Sequence, residues 1–240
     1  MLAVGRGASS TTVTSTIVTT TTESLAPTTT TSPPTTTTTL APTTTTTTLA
    51  TTTTTTEPVD LTVELTDEGI QAGPTWVPFG TDDDDTVAAL VVALGASSDD
   101  TGWLDSLTDG WDRFGVCPSP RVRGVSWGEG GNVSLQVLFT DGDTDFWTGG
   151  VEHFFSFFYG DTSQPTGLKT PEAIGIGSSL GQLKAAYDPA KIVIDEAFFD
   201  PSVGFWSYDI QSWTGLWGFA TGQTDAHVIT SINGGRGCGE

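Results

Sequence analysis

The chain has 240 residues and a formal charge of −21, from 8 Lys+Arg against 29 Asp+Glu. Such a field repels nucleic acid and anionic membrane surfaces, and it favours solubility or a basic partner. No run of about 18 apolar residues occurs, so the sequence holds no membrane-spanning helix.

The first ten residues, MLAVGRGASS, offer only a short apolar start, too little for a signal peptide. The threonine-rich tract beyond them nevertheless points to export, with the signal lost when the start codon was chosen. Residues 8–58 are mostly threonine with scattered Pro, Ser, Leu and Ala, as in TTTTTLAPTTTTTTLATTTTTTEP. A segment without large apolar groups cannot offset an ordering entropy of about 1–2 kcal/mol per residue. Residues 1–58 therefore read as a disordered Thr/Pro-rich stalk, a composition often O-glycosylated and typical of the cell surface. An unmodified spacer is the plainer alternative.

Residues 59–240 form the body. They contain all 8 Trp, both Cys, and 27 of the 29 acids. That length suits one compact domain with a sizeable core. Cys117 and Cys238 show no CxxC spacing and no His cluster, which argues against zinc. An isolated pair in an exported-looking chain reads as one disulfide. Two free buried thiols are the alternative.

FGTDDDDTVAALVVALG, from Phe79, is the first helix signal. Thr81 is a good N-cap, with Asp84 at the capping-box spacing. Asp82 to Asp85 fill the first turn, where the helix end favours anions. Val87, Leu90, Val91 and Leu94 make one apolar stripe, and Gly95 suits the C′ position. A short helix is also expected around Trp103 to Leu107. Strands come next, in RVRGVSW, NVSLQVLFT and DFWTGGVEHFFSFF.

A second helix is expected in IGIGSSLGQLKAAYDPAK. Ser179 and Gln182 form a capping-box pair, Leu180, Leu183 and Tyr187 a stripe, and Asp188-Pro189 the stop. This copy manages without acids, so the aspartate run reads as a helix start rather than a metal site. Further strands are expected in KIVIDEAFF, VGFWSYDI, GLWGFAT and AHVITSI. Alternation in Leu135, Val137, Phe139 and in Trp206, Tyr208, Ile210 indicates antiparallel sheet. The fold class expected is α+β: two tandem units of short helix plus antiparallel β-meander, residues 59–165 and 166–240.

That arrangement, in an acidic exported chain, resembles the beta-lactamase inhibitory protein family. The phrase IGIGSSLGQLKAAYDP is also similar to the helix start of the small outer-membrane-assembly lipoproteins of related fold. The inhibitor family staples each repeat separately, whereas here one Cys lies in each. The resemblance implies a protein-binding sheet face and assigns no individual residue. The whole chain is similar to exported actinobacterial proteins with Thr stalks.

Candidate chemistry is sparse. Asp141, Asp143, Asp145 and Glu152 fall at positions 1, 3, 5 and 12 of a calcium loop. Position 6 is Phe146 instead of Gly, and the flanks read as strands, so a polar hairpin turn is expected and no metal or cofactor. His153 and His227 are the only histidines, each expected in a strand with an ordinary hydrogen bond. No GxSxG, HExxH or phosphate loop is present, which points away from an enzyme.

The aromatics carry the functional reading: 12 Phe, 8 Trp and 3 Tyr. Core packing accounts for some of them. Trp206, Tyr208 and Trp217 are expected to share an open sheet face and bind a partner through aromatic anchors, rimmed by Asp200, Asp209 and Asp225. The expectation is a monomeric, secreted or cell-surface, non-enzymatic binding protein for a protein ligand. A carbohydrate-binding module is the first alternative, and a secreted carboxylate-based hydrolase the second.

Overall fold

The computed structural model describes residues 62–211 and 213–239. All of them belong to one unit of the chain, Thr55–Glu240. The stalk assignment lies outside the described residues. The described residues form an α+β structure of a few helices and mostly antiparallel sheet.

Three short strands that the sequence pattern does not reveal come first: β1 (Val63–Thr66), β2 (Gly69–Ala72) and β3 (Thr75–Pro78). They pair in that order as an antiparallel sheet. Val63, Leu65, Ile70, Ala72 and Val77 are its buried side chains. Gly69 takes φ +150°, and a Cβ there would lie 2.3 Å from the Val77 carbonyl oxygen, so the turn requires glycine.

Helix α1 (Asp83–Leu94) begins one residue later than expected. Asp82 is the N-cap, accepting from the Asp84 and Asp85 backbone N–H groups. Thr81 instead donates its hydroxyl to Pro78 O at 2.7 Å. Leu90 is fully buried, while Val91, expected on the same face, is exposed. Two of the four opening aspartates reach the sheet. Arg123 donates to Asp83 at 2.6 Å, to Asp84 at 3.3 Å, and to Asp100 at 2.6 Å. The acidic run thus caps the helix and ties it to its sheet.

After β4 (Asp99–Asp100) the helix expected at Trp103–Leu107 is absent. Strand β5 (Leu104–Asp105) and helix α2 (Asp109–Phe114) take its place. Leu104 pairs with Val122, and Asp105 accepts from Leu107 N, turning the chain before a helix can start there. Next come β6 (Arg121–Glu129), β7 (Asn132–Thr140) and β8 (His153–Tyr159). Residues 145–152, expected in the last of these strands, are loop.

Helix α3 (Leu180–Ala186) carries the expected capping box between Ser179 and Gln182. A 3₁₀ turn, Pro189–Lys191, leads to β9 (Ile192–Ala197), β10 (Asp200–Gln211), β11 (Thr214–Ala220) and β12 (Ile232–Gly235). The last strand thus lies later than the 226–232 expected from its apolar residues. There it pairs antiparallel with β8, with Gly234 opposite Phe157, and a Cβ on Gly234 would lie 2.2 Å from the Phe157 ring.

The large sheet runs β4-β6-β7-β8-β12-β11-β10-β9, with β5 also on β6. β12 closes the gap between the two runs of strands, pairing antiparallel with both β8 and β11. One face packs into a continuous core with Leu65 and Ile70, Leu90 of α1, and Leu180 and Leu183 of α3. The opposite face holds a small cluster of Val122, Leu138, Phe155 and Cys117. Cys117 and Cys238 form the expected disulfide, spanning 121 positions. Among the described residues no helix is long and apolar enough to cross a membrane.

Candidate binding groove

Register decides which aromatics are available. On β10 and β11, Phe205 pairs with Phe219 and Ser207 with Trp217. Trp206 pairs with Gly218 and Tyr208 with Leu216. Because successive side chains alternate, the first set faces one side of the sheet and the second set the other. Trp206 is 0% exposed and lies in the helix-covered core. Tyr208 packs there against Tyr187, ring centroids 4.4 Å apart. The expectation that Trp206, Tyr208 and Trp217 share one open face is therefore corrected: only Trp217 is on the open side.

Trp217 does not stand alone there. With Phe158, Phe205, Phe219 and the hairpin pair Phe198-Phe199 it lines a groove of about 690 Å³. The rings meet mostly edge to face. Phe158–Trp217 and Trp217–Phe219 both cross at 90°, and Phe199–Phe219 at 72°, with centroids 5.1–6.2 Å apart. That geometry makes walls and a floor instead of a flat platform. The Trp217 indole N–H donates to Gly235 O at 2.7 Å, so the most central ring presents only carbon.

Phe198 and Phe199 form the turn between β9 and β10, and are 78% and 56% exposed. The sequence pattern places both inside a strand. The available signal was their position just before Asp200-Pro201-Ser202, residue types that favour a chain reversal next to them. Asp200 accepts from the Ser202 N–H and hydroxyl and shapes this hairpin.

At the other end, Arg236 leaves β12 along the groove wall. It is exposed and lies over the Trp213 ring at 5.4 Å. Arg113, Arg121 and Arg123 are all ion-paired. Arg236 makes no ion pair among the described residues.

The other residues singled out in the sequence are engaged locally. Asp141 is buried and accepts from the Arg121 backbone N–H at 2.9 Å and Nε at 2.7 Å. Glu152 accepts from the same guanidinium at 2.9 Å. Asp143 accepts from Gly149 N, and Asp145 is exposed. An arginine thus sits between the first and last members of the calcium-like spacing. Among the described residues no group of three or more His, Cys, Asp or Glu is arranged to hold a metal.

His153 lies in β8 and uses both ring nitrogens: Nδ1 at 2.7 Å from Val151 O and Nε2 at 2.7 Å from Thr144 Oγ1. His227 sits in a turn, not a strand, and its Nδ1 accepts from Thr224 N at 3.0 Å. Of the expected acidic rim, Asp209 pairs with Lys191 and Asp225 with Lys184, each at 2.6 Å. Asp225 also accepts through its backbone from Gly181 of α3, which puts it on the helix side.

No protein-family model, no curated protein and no solved structure matches this chain. The class that fold and site define is an α+β protein of mostly antiparallel sheet, with an aromatic groove on the face opposite α1 and α3.

Proposed function

We propose that this is an exported, non-enzymatic binding protein that engages a protein partner through the open sheet face. One observation carries the reading: Phe198, Phe199 and Ile210 are exposed large apolar side chains in the lining of an aromatic groove. A monomer seldom leaves so contiguous an apolar patch in water without a use for it. Exposed aromatic side chains beside a concave floor are the usual anchors of a protein interface.

Export is supported by the disulfide, which persists in oxidising compartments. The chain's charge of −21 further suits a partner with a basic surface around the apolar contact. A carbohydrate-binding role is the weaker reading, because stacked sugars need flat, solvent-facing rings and polar neighbours. The groove's rings stand edge-on to one another, and Arg236 is the one charged side chain in its lining.

The body reads as two helix-plus-meander units merged into one sheet. The meanders β6-β7-β8 and β9-β10-β11-β12 meet edge to edge at β8 and β12. α3 and α1 contribute to the same core on the same face.

The test is capture of partners from the native extracellular fraction by the full chain, compared with the double variant Phe198→Ser/Phe199→Ser. Both positions are solvent-facing, so folding is expected to survive. Loss of a specific captured protein in the variant supports the reading. Equal capture by both proteins removes the aromatic edge from the interface.

A further inference from the structure

The groove floor and its one cation define a ligand more narrowly than the exposed edge does. We propose that the floor binds a long-chain carboxylate, its hydrocarbon lying across β11 and β10 and its head group on Arg236. This rests on the reading of the groove as the binding site. It assigns the floor to a small molecule and leaves a protein partner the rim at Phe198 and Phe199.

Three observations converge. The first is polarity. Phe158, Phe205, Trp217 and Phe219 give the floor carbon surface alone, since the Trp217 N–H is already bonded to Gly235 O. An inserted peptide or sugar would bury amides or hydroxyls against ring carbon there, with Arg236 the one polar side chain in the lining, which is costly. A hydrocarbon chain has no such groups.

The second is shape. A volume of about 690 Å³ lies within the range of small-molecule sites, about 300–1,000 Å³. The groove is lined from four neighbouring strands, β8-β12-β11-β10, with the turn at Phe198 and Phe199 beyond them. At about 4.8 Å between strands, it is about 14 Å across these four strands, the reach of roughly a dozen-carbon chain.

The third is charge. Arg236 stands at one end of this apolar track with no carboxylate partner among the described residues, whereas the other three arginines there are all paired. Asp143 lines the adjoining hollow with Arg236, but its carboxylate is held by Gly149 N. A guanidinium poised over an indole beside a hydrocarbon surface suits a carboxylate attached to an apolar chain. Arg236 thus sets the head-group sign against the repulsion of the acidic chain as a whole.

The experiment is calorimetric titration of the full chain with tetradecanoate below its micellar concentration. Tetradecanol and tetradecyltrimethylammonium serve as neutral and cationic probes of equal chain length. The expected result is saturable one-to-one binding of tetradecanoate, weaker binding of the alcohol and none of the cation. Arg236→Gln is expected to weaken tetradecanoate about tenfold or more while leaving the unfolding midpoint unchanged. Binding that is absent, unaffected by Arg236→Gln, or equal for the cationic probe overturns the proposal. Failure here, with the Phe198→Ser/Phe199→Ser variant still losing its captured protein, removes the ligand and leaves the protein-binding reading standing. Tetradecanoate binding with partner capture indifferent to that rim variant supports the ligand and removes the protein partner instead.

Discussion

Trp206 and Trp217 occupy adjacent strands, yet their indoles lie on opposite faces of the sheet. Trp206 pairs with Gly218 and is enclosed by the helix-side core, while Trp217 pairs with Ser207 and forms the groove floor. Gly218 leaves the space that the Trp206 ring fills: a Cβ there would stand 3.0 Å from the Trp206 Nε1 atom. The two tryptophans therefore differ in what their removal does.

Trp206→Ala should lower folding stability by about 3–5 kcal/mol, the range for emptying a buried aromatic site. Phe198→Ala should change it by no more than about 0.5 kcal/mol, because the ring is mostly in water. Urea unfolding of both variants checks this. A small effect at Trp206 is incompatible with its position in the core.

Gly218→Ala should be as damaging as many core truncations. The added Cβ would meet the Ser231 carbonyl oxygen at 2.0 Å, and a backbone carbonyl cannot swing aside. A loss of at least about 2 kcal/mol is expected from such overpacking. Gly160→Ala is the control, with nothing within 4 Å of its Cβ. Its unfolding midpoint should match the parent protein's.

The disulfide closes most of the body into one loop, with Cys117 and Cys238 separated by 121 positions. Cys117→Ser/Cys238→Ser should cost about 2–5 kcal/mol, chiefly through a freer unfolded chain. It should also loosen the groove, since Cys238 lines its wall and Gly237 packs close to Phe158 and Trp217. Thermal melts with and without reductant measure the first effect, and tryptophan emission the second.

His153 makes stability sensitive to mild acid. Burial lowers its pKa from the ordinary 6.5, against the opposing pull of the Val151 carbonyl bond and the Asp141 charge. As pH falls through 6.5 the unfolded chain takes the proton before the native one does. Stability therefore declines from there until the lower native pKa is reached. Urea midpoints should fall as the pH drops below 6.5, and fall less in His153→Gln. Titration of the His153 ring protons by NMR should give a midpoint below 6.5. A midpoint above that value contradicts the burial argument.

Local signals are readable without the structure where neighbouring residues decide the outcome. The capping box at Ser179 and Gln182, the acidic first turn of α1, and the alternation along β7 and β10 all depend on contacts within a few residues. Helices α1 and α3, most of the longer strands and the α+β class are legible for that reason. The isolated cysteine pair is legible too, because an exported-looking chain with two thiols has one pairing available.

What tertiary structure alone decided is register, and with it the site. A strand places its side chains alternately on two faces, but which face is buried depends on what packs there. Alternation puts Trp206 and Tyr208 on one face, and only the seating of α1, α3 and β1–β3 makes that face the core. Trp217 goes to the open side because its strand pairs it with Ser207, a match fixed across a hairpin. Arg236 reaches the groove because Gly234 lets β12 pair closely beside Phe157 of β8 and the disulfide holds the tail beside it. The last two of these contacts join residues dozens of positions apart, and none is set by side-chain pattern within one strand. Aromatic content is thus visible in the sequence, whereas the groove it lines exists only once the strands have paired.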